Sequence, residues 1–279
     1  MTTALAALGG ASRQSLAAAR TALDNVLKTS SAPDASALAT DLFAVVAALD
    51  SSTPLRRAIT DASRDAAAKS KLVSDLFGKA ISATALQLVS GLAALRWSSP
   101  SNIGDVLEQL AVEAEAASAS ASQEIDRLEE EIFSFSQLVA SDSELRQALN
   151  SGKYSNEGKR ALVAQLLGGK VAPSTTRLLA HLVSGLRGRN IESTISFYAD
   201  ATAARRERAI AHVRSAVALT DAQKEKLTQA LSQKIGQPVR LNVEIDTTVL
   251  GGISIRFADE LIDATIVSRL ADAGRALAV

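Results

Sequence analysis

Two histidines, His181 and His212, are the only imidazoles in the 279 residues, and there is no cysteine. A chain so equipped has few ways to make or break bonds. Without thiols there is no disulfide, no thiolate metal site and no cysteine nucleophile. His181 stands between Leu179 and Leu182 in a helical run, where an imidazole is expected to be a packed or surface side chain. His212 falls on the polar side of an alternating stretch and carries the same expectation. Glu129, Glu130 and Glu131 supply carboxylates. General acid–base work needs two such groups in unequal environments around a pocket, and a charged run on one amphipathic helix supplies neither.

Phosphate chemistry fares no better. Gly168-Gly169-Lys170 and Gly78-Lys79 look like the tail of a phosphate loop, but both lack the upstream glycine and the following Ser or Thr. HExxH, GxSxG and GxGxxG do not occur. The reading is of no catalytic residue, no cofactor and no metal: a chain built for shape and contact. Lys+Arg and Asp+Glu both total 30. A dedicated nucleic-acid binder carries a basic excess to neutralise phosphates, so no nucleic-acid partner is expected. Locally, 124–131 is acidic, and Arg205, Arg206 and Arg208 form a basic cluster. These are solvated helix faces or complementary docking patches.

The elements that would carry such contacts are mostly helices. Hydrophobic residues make up 47 % of the chain and aromatic ones 3 %, a mix dominated by alanine and leucine, which favour helix. Leu16, Leu23, Val26 and Leu27 share one face, as do Leu38, Leu42, Val46 and Leu49. The same spacing recurs at Leu72, Val73, Leu76 and Phe77, then at Leu88, Leu92 and Leu95. Thr53-Pro54 reads as a helix start, and Ser141 with Glu144 has capping-box spacing. The longest apolar, uncharged stretch, between Lys79 and Arg96, is short of a membrane span and is read as a buried helix. Membrane association is therefore expected only through a partner.

An internal repeat organises this region. Leu55-Arg56-Arg57-Ala58-Ile59 is echoed by Leu145-Arg146-Gln147-Ala148-Leu149. Leu72 to Gly78 is echoed by Leu162 to Gly168 at the same offset. Val89-Ser90-Gly91-Leu92 recurs as Val183 to Leu186, displaced as though by a short insertion near Pro173. Two related helical units follow, at about 38–115 and 125–207, within a helical region 1–208. Residues 112–123 are almost all Ala, Ser and Glu, a composition open to a flexible linker but favouring a long helix that continues through Ile125, Leu128, Ile132 and Phe135.

Character changes after Arg208. Ala211 and Val213 alternate as a strand, and Thr220 with Gln223 caps a helix carrying Leu227, Leu231 and Ile235. Val239 to Ile245 is a second strand, Ile253 to Phe257 a third, and Leu261 to Thr265 its hairpin partner. A last helix is expected over Val267 to Leu277. The fold class is mainly α: a helical bundle with an internally duplicated unit, then a small α+β module over 209–279.

Within that module, Val239 to Arg269 resembles the C-terminal signature of ATP synthase delta subunits, called OSCP in mitochondria. The signature has a hydrophobic strand, an acidic residue (Asp246), a Gly-Gly turn (Gly251-Gly252), a short strand ending in a charged residue (Arg256) and a second acidic position (Asp263). Leu145 to Leu149, Gly158 to Gly168 and Arg187-Gly188-Arg189-Asn190 are similar to the family's helical bundle. The extra helical unit is the departure and looks like a long bacterial form. The resemblance implies a non-catalytic stator connector. Its helical part would grip N-terminal segments of alpha subunits, and its α+β module would hold a separate b-type stalk subunit. It further implies one copy per complex, at the cytoplasmic face of the bacterial membrane. The five signature residues are expected to be structural or stalk-contacting: Gly251-Gly252 permits a turn closed to other residues, and Arg256 and Asp263 either pair across the hairpin or face a partner. A free helical-repeat adaptor is the competing reading, and an enzyme with a helical regulatory region a third.

Overall fold

A computed structural model of the chain describes residues 8–208, 210–235, 239–246, 253–257 and 260–263. The chain divides into two compact units, Met1–Ala203 and Ala204–Val279. The first holds α1 (Gly10–Leu27), α2 (Ala32–Ser51), α3 (Thr53–Thr60), α4 (Ala66–Phe77), α5 (Ala83–Ala94) and α6 (Asn102–Ala121). These are followed by α7 (Ile125–Ser141), α8 (Ser143–Asn150), α9 (Asn156–Leu167) and α10 (Pro173–Ser184), and by most of α11 (Ile191–Arg208).

The duplication is visible helix by helix. α3, α4 and α5 have 8, 12 and 12 residues, and so do α8, α9 and α10. Core positions recur ninety residues apart. Leu88, Val89, Leu92 and Ala93 of α5 are buried, and so are Leu178, Leu179, Leu182 and Val183 of α10. Ala35, Leu38, Leu42, Val45 and Leu49 of α2 become Ile125, Leu128, Ile132, Phe135 and Val139 of α7. The constant offset corrects one echo. Val183 stands where Ala93 does, one helical turn beyond Val89, so the shared Val-Ser-Gly-Leu is not a structural equivalence and no insertion precedes α10.

α6 is the shared element. It packs against α1, α2 and α5 and also against α7 and α10. From Ile103 to Ala119 only Asp105 escapes full burial. A helix enclosed on all sides has no solvent face to fill with charge, and its small residues let neighbours approach closely. That is why the Ala/Ser-rich 112–121 is a core helix and not a linker. The expected continuous helix does not form, because Gln123 takes φ 59° and the chain turns before α7 begins.

Two helix starts also differ from expectation. Ser52, not Thr53, caps α3 by accepting from the Leu55 amide at 3.3 Å. Asp142, not Ser141, caps α8, its Oδ1 accepting from the Glu144 and Leu145 amides at 2.9 Å each, since a carboxylate outcompetes a neighbouring hydroxyl for amide donors. The stretch between Lys79 and Arg96 is the buried α5. One helix among the described residues, α2, is long and apolar enough to cross a membrane, which the sequence reading did not register. Asp34, Asp41 and Asp50 interrupt it, and its apolar face lies in the bundle core.

The second unit is a four-stranded sheet of β1 (Ile210–Ser215), β2 (Arg240–Ile245), β3 (Ile253–Phe257) and β4 (Glu260–Asp263), in the order β2-β1-β3-β4. α12 (Asp221–Ile235) connects β1 to its parallel neighbour β2, as a parallel pair requires. The remaining pairs are antiparallel. Thr220 and Gln223 form the expected capping box for α12. Ala211, Val213, Leu231, Val239 and Ile255 make a small buried core. The last helix expected over 267–277 lies outside the described residues.

Candidate assembly interface

Of the five signature residues, Asp246 is the one whose side chain is described. It follows β2, its amide donates to the Ser215 carbonyl at 2.9 Å, and its Oδ2 accepts from the Arg214 guanidinium. The ion pair ties the end of β2 to β1, its parallel neighbour. Gly251 and Gly252 lie outside the described residues. Arg256 stands opposite Leu261, and Asp263 opposite Ser254, so the two are displaced by two positions across the hairpin and are not direct cross-strand partners. Arg256 is also opposite His212 on β1.

Among the described residues the most heavily charged interior is on α6, and sequence reading did not find it. Glu108, Glu113 and Glu115 are buried, with Asp105 beside them. Each is met by an arginine from elsewhere in the same unit. Arg20 of α1 donates to Glu113 at 2.8 Å, and Gln109 donates to the same oxygen at 2.7 Å. Arg177 of α10 donates twice to Glu115, at 2.6 and 3.0 Å. Arg189 reaches both oxygens of Glu108 at 2.6 and 2.8 Å. Arg187 bridges Asp50 at 2.9 Å and Asp105 at 3.0 Å. Burial pushes the Glu108 carboxyl above its usual range, against the pull of Arg189 and Arg187. Its contact with Tyr198 adds to the burial that raises that phenol well above its ordinary value. Charges this deep cost more to desolvate than their attraction returns unless every partner is present. The arrangement therefore fixes geometry: arginines of the second helical copy are fastened to carboxylates of the first.

Backbone features serve that clasp. Arg187 takes φ 53° and Gly188 φ 78°, so the loop after α10 folds back onto α6. Gly104 makes room for it, since a Cβ there would stand 2.5 Å from Arg187 Nη2. The Arg187-Gly188-Arg189-Asn190 stretch thus has a local role in this chain. Asn190 completes it by capping α11, its Oδ1 accepting from the Ser193 amide at 2.7 Å.

The residues considered for chemistry have structural duties. His181 stacks face to face on Phe43, with ring centroids 4.0 Å apart, and burial lowers its pKa to about 4. Glu131 caps α10, accepting from the Ala172 amide at 2.9 Å and from the Thr175 hydroxyl. Burial raises its pKa, but these bonds and Arg127 bring the carboxyl below its usual range. In the first copy Asp41 does the same for α5, accepting from the Ser82 amide at 2.9 Å. Gly168 takes φ 55° and ends α9, which accounts for the glycine pair without a phosphate. Among the described residues no group of three or more His, Asp or Glu is placed to hold a metal.

The surface offers apolar contacts instead. Leu76 (49 % exposed) and Leu166 (45 %) are equivalent positions on α4 and α9, and Phe133 on α7 is 64 % exposed. Enclosed ion pairs, capped helices and isolated outward apolar side chains describe a helical scaffold. The family model for "ATP synthase delta (OSCP) subunit" matches residues 112–277, which takes in the second helical copy and the α+β unit. ATP synthase subunit delta of Streptomyces coelicolor is 42 % identical over 98 % of this chain and 100 % of its own length. That of Kineococcus radiotolerans is 40 % identical over 96 % and 97 %, and that of Thermobifida fusca 39 % over 96 % and 99 %. A chain of the Toxoplasma gondii mitochondrial ATP synthase hexamer covers 60 % of this chain at 19 % identity and a TM-score of 0.29, too weak a match to build on. The chain belongs to the ATP synthase delta (OSCP) family. It is a non-catalytic, peripheral-stalk subunit of the membrane-associated synthase.

Proposed function

We propose that this chain fastens the catalytic head to the stalk with its two regions divided by task. The helical region 1–208, with related units at about 38–115 and 125–207, holds amphipathic N-terminal segments of alpha subunits. The α+β module 209–279 holds the end of a b-type stalk subunit, with Asp246, Gly251, Gly252, Arg256 and Asp263 shaping or contacting that end. One copy serves each complex, peripherally, at the cytoplasmic face of the bacterial membrane. The observation that carries this reading is the clasp on α6. A link that resists torque must not shear internally, and Arg177, Arg187 and Arg189 pin one helical copy to the other through buried carboxylates. Helix-in-groove contacts supply holding strength without reactive groups, and a nanomolar grip needs about 12 kcal/mol.

The test is affinity capture of the tagged chain from gently solubilised membranes. Alpha, beta and b-type subunits are expected together, in a ratio of one tagged chain per complex. Capture of alpha and beta without any b-type subunit by the full chain would defeat the division of tasks.

A further inference from the structure

The duplication lets each site in one copy be compared with its counterpart ninety residues away. At the start of α7, Arg127 holds three groups together. Its guanidinium pairs with Glu124 at 3.8 Å and with Glu131 at 2.8 Å, and it donates to the Lys170 carbonyl at 3.1 Å. It thereby ties the turn before α10 to α7, beside the Ala172 amide that donates to Glu131.

In the first copy the carboxylates are kept and the guanidinium is missing. Asp34 and Asp41 stand at the positions of Glu124 and Glu131, and Ala37 at that of Arg127. The three share one face of α2 at helical spacing. Asp41 accepts from the Ser82 amide as Glu131 does from that of Ala172. Asp34 is held by Ser31 alone, and among the described residues no Lys or Arg pairs with either aspartate. Ala37 opens instead onto a cavity of about 360 Å³ between the end of α1, the start of α2 and the start of α5, with Asp34, Ser82 and Thr84 in its walls. Two carboxylates on one face repel, and a shared cation relieves the repulsion.

We propose that this cavity is a binding site for a guanidinium group, which bridges Asp34 and Asp41 as Arg127 bridges Glu124 and Glu131. A planar fork of donors serves two carboxylates and a carbonyl at once, which a point-like ammonium does less well. An arginine side chain of another subunit and a small guanidinium compound share this chemistry. The inference rests on the repeat and stands apart from the assignment of alpha and b-type partners.

Amide NMR of the full chain, titrated with N-acetylarginine methylamide, tests it. Saturable shifts are expected at Ser82 and along the first turns of α2. Ala37→Arg, which fills the cavity from within, should abolish them with the fold unchanged. Arg127→Ala should open the second copy's site and add a matching set of shifts at Ala172. The neutral, isosteric citrulline amide should give none. No saturable shift at Ser82, shifts that survive Ala37→Arg, equal shifts from the citrulline amide, or no second set in Arg127→Ala would overturn the proposal. Carbodiimide labelling of Asp34 separates the two sources. Protection in the washed, intact synthase relative to the isolated chain assigns the guanidinium to a subunit's arginine. Labelling that matches the isolated chain and is suppressed by the added arginine amide assigns it to a small compound. Labelling that the amide does not suppress would count against the site.

Discussion

The two helical copies share a plan and differ in what surrounds them. α2 and α7 present the same five-position core stripe, yet Phe43 is covered and Phe133 is open. Lys69 and Lys159 are both buried, donating to the carbonyls of Leu95 and Leu149 respectively. Arg96, in the loop after α5, is exposed, whereas Arg187, in the loop after α10, is driven into α6. A duplicated unit thus keeps its interior, and the copies diverge at positions where one meets the other.

The largest difference is expected at the arginines. Arg187→Ala takes a partner from Asp105, from the buried Glu108 and from Asp50, which keeps Arg56, and should cost about 3–5 kcal/mol, whereas Arg96→Ala should stay within about 0.5 kcal/mol. Guanidinium unfolding of the two variants reads the difference, and equal losses would mean that the clasp holds nothing. The aromatic pair comes next. Phe43→Ala should lose about 3 kcal/mol and Phe133→Ala less than about 0.5 kcal/mol in the isolated chain, by the same measurement.

The Phe43–His181 stack also predicts a pH effect. The imidazole is neutral when folded, with a pKa lowered to about 4 from 6.5. The unfolded chain takes up its proton first as pH falls, so this stability is whole above pH 6.5 and is lost progressively as pH drops toward 4. The loss is at most about 3 kcal/mol. His181→Phe should keep the stack and flatten that part of the pH profile; an unchanged slope would place the titration elsewhere. Smallest are the two interhelix caps. Asp41→Ala and Glu131→Ala should each cost about 1 kcal/mol, with Glu131→Ala the larger because it loses two donors. Thermal melts of the pair check the order.

Much of the architecture was written in short-range patterns. The capping box at Thr220 and Gln223, the alternating β2 and β3, and the buried α5 all follow from local spacing. The repeat was legible wherever a core stripe carried it, as at Leu72 and Leu162. It misled at Val183, where four shared letters fell one helical turn out of register with the buried positions. The α6 carboxylates were illegible for a different reason. Glu108, Glu113 and Glu115 look like solvent-facing charge in an alanine-rich run, and only the arrival of Arg20, Arg177 and Arg189 from distant sequence makes burial tolerable. Asp105, Glu108, Gln109 and Glu113 even fall on one face of α6 at helical spacing, which reads as an ordinary solvated stripe.

This subunit transmits coupling and performs no chemistry. The most direct measurement is ATP-driven proton pumping by membrane vesicles depleted of the chain and then given it back. Depletion should abolish pumping while the head continues to hydrolyse ATP, and the added chain should restore it. Pumping that persists without the chain would mean that coupling does not pass through it.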